Sequence, residues 1–149
     1  MVEIRPITEH DIITLAPELK EFDLLELRAT TNIPVNTALT ETIEASDEAF
    51  SFTYNGEIVG MFGCQKRSTG AVVWMVSNDR IAEFPKTATK QAIAIIDAWA
   101  AQHHLLWNYV YSGNERSIAW LKRLGFAIHA TVPSYGSHNE PYHCMIKEG

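Results

Sequence analysis

Most of the residues able to do chemistry gather in or around 106–126, which reads Leu-Trp-Asn-Tyr-Val-Tyr-Ser-Gly-Asn-Glu-Arg-Ser-Ile-Ala-Trp-Leu-Lys-Arg-Leu-Gly-Phe. Asn114 and Glu115 open a helix directly after a strand, and Ser117 lies in its first turn. The unpaired amides of such a helix start favour an anion or a polarised carbonyl oxygen. On the strand before it, Trp107, Tyr109 and Tyr111 share one face. Their phenols serve either as hydrogen-bonded members of an aromatic core or as proton donors. Further on, His129, His138, His143 and Cys144 cluster in sequence. Imidazole and thiolate are metal ligands, but this spacing matches no zinc pattern, and no metal is expected. No Ser-His-Asp arrangement and no phosphate-binding loop is visible.

The elements that must position these residues follow from periodicity. Residues 106–111 are rich in β-branched and aromatic types and predict a buried strand. Gly113 ends it, and Asn114 is expected to cap the helix with its side chain. Ile118, Trp120, Leu121 and Leu124 share one helical face, while Glu115, Arg116, Lys122 and Arg123 share the other. Gly125 is placed to stop the helix.

Upstream, residues 2–6 alternate as a strand. Thr8 with Asp11 resembles a capping box for a helix through Ile12, Ile13, Leu15 and Leu19, which Pro17 should bend or end. A second short helix is expected over 22–28, and a third, capped by Asn36 or Thr37, includes Leu39 and Ile43. Residues 49–54 and 57–65 predict a hairpin around Asn55-Gly56. Residues 71–76 lack polar alternation and predict a strand buried on both faces in mid-sheet. Pro85 suits the first turn of a helix reaching about 103, with a stripe of Ala88, Ala92, Ile95, Ile96 and Trp99. Residues 126–132 predict a strand, then a loop holding Pro133, Tyr135, Gly136, His138 and Pro141, then a last strand over 142–147.

The chain has 149 residues, 46% of them hydrophobic, which suits one domain (1–149) with a single substantial core. A formal net charge of −6 leaves no basic excess for phosphates, so no nucleic-acid partner is expected. No apolar run approaches the roughly 20 residues of a membrane span, and the N-terminal residues show no signal-peptide core. Cys64 and Cys144 sit in apolar strands and are expected as reduced thiols, in keeping with a cytoplasmic setting.

Asn114, Ser117 three residues later, and Gly125-Phe126 resemble the late motif of the GCN5-related N-acetyltransferases, the GNAT family. The element order β-α-α-β-β-β-α-β-α-β-β resembles that family over the whole chain. The resemblance implies an α/β (α+β) fold: a mixed, mostly antiparallel sheet of about seven strands flanked by helices. Leu106-Trp107-Asn108-Tyr109-Val110 with Gly113-Asn114, and the Ile4-Arg5-Pro6 start, resemble more narrowly the small GNAT-like internal virion proteins of short-tailed bacteriophages. That implies a phage or prophage origin, a place in the host cytoplasm or the virion, and virion proteins as partners.

The family resemblance implies an acetyl-CoA-dependent N-acyltransferase acting on a protein or small-molecule amine. Acetyl-CoA would lie where the strand before the late helix splays from its neighbour, against Trp74, Met75, Val76, Tyr109, Asn114 and Ser117, with Lys86 toward the phosphates. The chain departs from the family's pattern at three places. Residues 77–86 contain no glycine where the family carries a Gly-rich pyrophosphate turn. Residues 74–76 offer no carboxylate as general base, leaving Asp79 as the nearest, or as a plain turn residue. Leu121 stands seven residues after Asn114, where the family has a proton-donating tyrosine, so Tyr111 is the expected substitute. Tyr135 and Glu140 are expected at the acceptor side, or as part of an ordinary hairpin loop. The alternative function is a catalytically inactive GNAT-shaped phage protein that acts by protein binding.

Overall fold

The computed structural model describes residues 2–19, 23, 33–80, 86–135 and 139–149. Strand β1 (Val2–Pro6) leads to helix α1 (Glu9–Leu15), which tightens into a 3-10 turn at Ala16–Glu18. Helix α2 (Val35–Glu44), strands β2 (Glu48–Tyr54), β3 (Glu57–Lys66) and β4 (Ala71–Ser77), and helix α3 (Lys86–His103) follow. Strand β5 (Leu105–Tyr111), helix α4 (Glu115–Arg123), and strands β6 (Ala127–Tyr135) and β7 (Glu140–Glu148) complete it. The seven strands form one sheet in the order β1-β2-β3-β4-β5-β7-β6. Every neighbouring pair is antiparallel except β4 and β5. The expected helix over 22–28 lies outside the described residues apart from Asp23, as do Pro85, Gly136 and His138.

Local chemistry accounts for most boundaries. The Thr8 hydroxyl accepts from the Asp11 amide, and the Asp11 carboxylate accepts from the Thr8 amide. Asp11 also takes a two-pronged bond from Arg5 (2.6 and 2.8 Å) and a bond from the Ser51 hydroxyl. Pro17 ends regular α-helix at Leu15, so Leu19 lies beyond it, and Ile13, expected on the apolar stripe, is 69% exposed. Helix α2 starts at Val35 behind Pro34, with no side-chain cap, rather than behind Asn36 or Thr37; proline's preset φ suits a helix entry. Asn55 and Gly56 both have positive φ (52° and 81°), the two-residue turn that matches strand twist.

Two boundaries correct the sequence reading. Pro133 and Tyr135 belong to β6, and Glu140 and Pro141 to β7, not to a loop. Strand β6 is the sheet edge, and the ladder is irregular between Val132 and Tyr135, so the donor that proline lacks removes no regular pair.

Alternation on the strands divides the apolar residues between two cores. Phe62, Cys64, Ala71 and Val73 face Ala92, Ile96 and Trp99 of α3 and Leu121 of α4. Ile58, Met61 and Val76 face Leu15 of α1 and Leu39 of α2. Strand β4 sits in mid-sheet as expected, but Val72, Trp74 and Met75 remain half-buried because the sheet opens beside them.

Candidate functional site

Strands β4 and β5 pair only at Ala71↔Leu106 and Val72↔Trp107. Beyond that point β4 stays with β3 out to Ser77, and β5 stays with β7 out to Tyr111. The sheet therefore splits into a V. Gly70 at its base has φ +69°, and a Cβ there would overlap the Leu105 carbonyl, so glycine permits the close approach where the strands meet.

The gap opens to both faces. Toward α4 it holds about 30 Å³, room for about two water molecules, between Phe62, Ile96, Ser117, Trp120 and Leu121. Toward α2 it widens to about 390 Å³, walled by Trp74, Val76, Trp107, Tyr109, Tyr135 and Tyr142. Asp23, Val73, Trp74, Met75 and Asn108 line both spaces and form the throat between them.

The structure thus brings together six of the expected site residues: Trp74 and Met75 in the throat, Val76, Tyr109 and Tyr135 in the larger space, and Ser117 in the smaller. Of the others, Asp79, Tyr111, Asn114 and Glu140 lie outside these walls. Asp79 is exposed beyond β4, and Lys86 is the first residue of α3. The half-buried Tyr111 stands against Tyr142, and its ring covers Gly113. Glu140 opens β7 opposite Tyr135. Asn114 occupies the N-cap position of α4, but its side chain makes no capping bond. A turn in which its amide donates to the Tyr111 carbonyl carries it inward, and it is 1% exposed.

Sequence reasoning passed over Asp23. Its side chain is buried at 3% exposure, and its Oδ2 accepts from the Ser77 amide (2.8 Å) and hydroxyl (3.4 Å). The sequence signal is a lone acid within the apolar run Phe22-Asp23-Leu24-Leu25.

The walls of the larger space are held from outside. The Trp74 indole N–H donates to the Ser46 hydroxyl (2.9 Å), and the Trp107 indole N–H donates to the Thr69 carbonyl (3.3 Å). Trp107 meets Tyr109 edge-on, and Tyr109 stacks on Tyr135 with centroids 4.8 Å apart. Burial, reinforced by neighbouring Tyr109, raises the Tyr135 pKa above the ordinary phenol value. Burial likewise raises the Cys144 thiol, against a hydrogen bond from Tyr109 that acts the other way. Cys64 is pushed up to about 11 by burial and then by Glu48 and Asp47. Both cysteines are free thiols. Among the described residues no three His, Cys, Asp or Glu side chains gather as metal ligands. The imidazole of His143 pairs with the Thr131 hydroxyl.

A family model described as "Bacteriophage T7, probable scaffold protein Gp13" matches residues 53–132, more than half of the chain and the whole of both splayed strands. The chain belongs to the phage T7 Gp13 family. Solved structures relate the fold of this Gp13-family chain to acetyltransferases. Ard1 from Thermoplasma volcanium superposes with a TM-score of 0.75 at 18% identity, covering 99% of this chain and 97% of that one. The ribosomal-protein-alanine N-acetyltransferase of Brucella melitensis gives 0.72 at 18% identity, covering 99% of each. An aminoglycoside acetyltransferase, AAC(6')-Ib, in complex with coenzyme A gives 0.67 at 17% identity, covering 99% and 95%. The fold is therefore that of the GNAT acetyltransferases. No curated protein matches by sequence.

Acetyl-CoA, which that fold implies, is poorly matched by the residues present. The space beside α4 is too small for a pantetheine arm. Leu121, at the place of the family's proton donor, is 6% exposed and packs in the core with Val110, Leu124 and Phe126. No glycine occurs in 77–86, and the Asn78 side chain is committed to Glu18, the Ile58 carbonyl and the Arg80 amide.

Proposed function

We propose that this Gp13-family chain is a GNAT-shaped phage protein that works by binding, as a scaffold-type component during assembly of a phage particle, and not by acetyl transfer. The observation that carries this reading is Leu121: the position where the fold's transferases hold a proton donor is an apolar side chain inside the main core. The scaffold description of the matched family supports the same reading. Its partners are other virion proteins, met in the host cytoplasm or in the particle. The experiment is complementation of a family phage lacking its own copy. The wild-type chain and an Asp79→Asn/Tyr111→Phe double variant should restore infectious particles equally. Restoration by wild type alone, with the variant folded, would refute the reading.

A second reading, an acyl-CoA-dependent N-acyltransferase with a rearranged site, draws on one observation: the gap opens to both faces of the sheet with the Asp23 carboxylate at its throat. In it, Tyr135 and Glu140 stand on the acceptor side. Calorimetry with millimolar acetyl-CoA, followed by turnover against an amine panel, separates the two. Saturable heat and turnover favour the second reading, and their absence the first.

A further inference from the structure

We propose that Asp23 is a built-in stopper: its carboxylate occupies the hydrogen-bonding edge of β4 that the splay leaves open, and so closes the gap to a ligand running between the two strands. The inference rests on the first reading above and names the device that withholds the gap from coenzyme A.

The Asn78 amide donates to the Val59 carbonyl of β3 (3.0 Å). Successive residues of a strand direct their backbone groups to opposite sides. The Ser77 amide, one residue earlier, therefore points away from β3 and into the gap. Had β4 and β5 stayed together, β5 would face this side of β4, but their pairing ends at Val72↔Trp107. Asp23 supplies an acceptor instead. Its Oδ2 takes the Ser77 amide at 2.8 Å and the Ser77 hydroxyl at 3.4 Å. Both residues are shut off from water, Ser77 at 0% and Asp23 at 3% exposure. A buried edge amide must find a partner, and here the partner is a side chain from 54 positions away.

The same side chain stands in the throat. Asp23 borders both the space of about 30 Å³ beside α4 and the space of about 390 Å³ beside α2. On the α4 side its fellow lining residues include Phe62, Val110 and Leu121. Burying a carboxylate among such walls is unfavourable unless it is hydrogen-bonded, and an apolar side chain would fill the throat equally well. What the carboxylate adds is an acceptor for the β4 edge. An extended ligand entering the V would bond the strand edges as an added strand does. Its own acceptor would have to displace a carboxylate, the stronger kind of acceptor. Removing the Asp23 side chain frees that amide and joins the two spaces.

The test uses the full chain, with coenzyme A as the probe and no acyl donor or amine present. Calorimetry should show no saturable binding to wild type at millimolar coenzyme A, and Asp23→Ala should bind at least about tenfold more tightly. In amide hydrogen exchange the Ser77 amide should be protected in wild type and exchange at least about tenfold faster in Asp23→Ala. Coenzyme A added to the variant should restore the protection. Asp23→Asn keeps an oxygen acceptor of the same size and should match wild type in both measurements. If Asp23→Ala does not fold, Asp23→Ser carries the same test. Saturable binding by wild type overturns the proposal. So does a folded Asp23→Ala that binds no coenzyme A at millimolar concentration; that result leaves the first reading standing, since complementation tests it separately.

Discussion

The two faces of the splayed sheet border one gap and treat it differently. Toward α3 and α4, Phe62, Ile96, Trp120 and Leu121 fill the space almost completely. Toward α2, the same strands turn outward Trp74, Trp107 and Tyr109, which border the larger space. The difference teaches that an open V between strands is not in itself a cofactor slot. Which side stays open depends on the side chains that the flanking helices send into it.

The comparison breaks most readily on the filled side. Phe62 is 2% exposed and stacks on Phe52 at 4.6 Å, so Phe62→Ala should destabilise by about 3–5 kcal/mol in urea unfolding. A loss under 1 kcal/mol would mean that this face is not the tightly packed one.

The next effect concerns the latch of α1, the helix whose Leu15 packs with Leu39, Ile58, Met61 and Val76. Burial pushes the Asp11 pKa up, but bonds from Arg5, the Thr8 amide and Ser51, with the Arg5 charge, outweigh it and hold the carboxyl at about 2 against 3.8. The folded state binds this proton less readily than the unfolded chain. The stabilisation is therefore complete above about pH 4 and is lost as pH falls toward 2, a change of about 2 kcal/mol. Asp11→Asn should lower stability at pH 7 and flatten the acid limb between pH 4 and 2, measured by denaturant midpoints at each pH. An unchanged acid limb would remove Asp11 as the latch.

A smaller change tests the end of α4. Gly125 has φ +101°, and the Gly125 and Phe126 amides return to the Lys122 and Leu121 carbonyls. A Cβ at 125 would meet the Lys147 ammonium, which bonds the Leu124 carbonyl and Asp97. Gly125→Ala should cost about 1–2 kcal/mol by thermal melt. The smallest effect belongs to the open side: Tyr135→Leu should cost about 0.5–1 kcal/mol, since the half-buried ring loses its stack on Tyr109 but borders the larger space. A loss comparable to that of Phe62→Ala would erase the contrast between the faces.

What the sequence determined by itself is the grammar read over short distances. Thr8 with Asp11, the Asn55-Gly56 turn, the stop at Gly125 and the order of strands and helices each depend on neighbours a few residues away, and the fold carries them all. The continuation of β6 through Pro133 escaped that reading because proline is tolerated at an irregular sheet edge, and only the sheet order makes β6 an edge. Asn114 was placed correctly at a helix start, while the inward path of its side chain depends on the turn closed by the Tyr111 carbonyl. The tertiary structure alone decided the site. Asp23 meets Ser77 across 54 positions of sequence, β4 leaves β5 after two pairs, and the filling of one mouth by Ile96 and Leu121 depends on helices docked from elsewhere in the chain. Periodicity says which face of a segment is apolar, but not how far two strands stay together or what the opposing helix places between them.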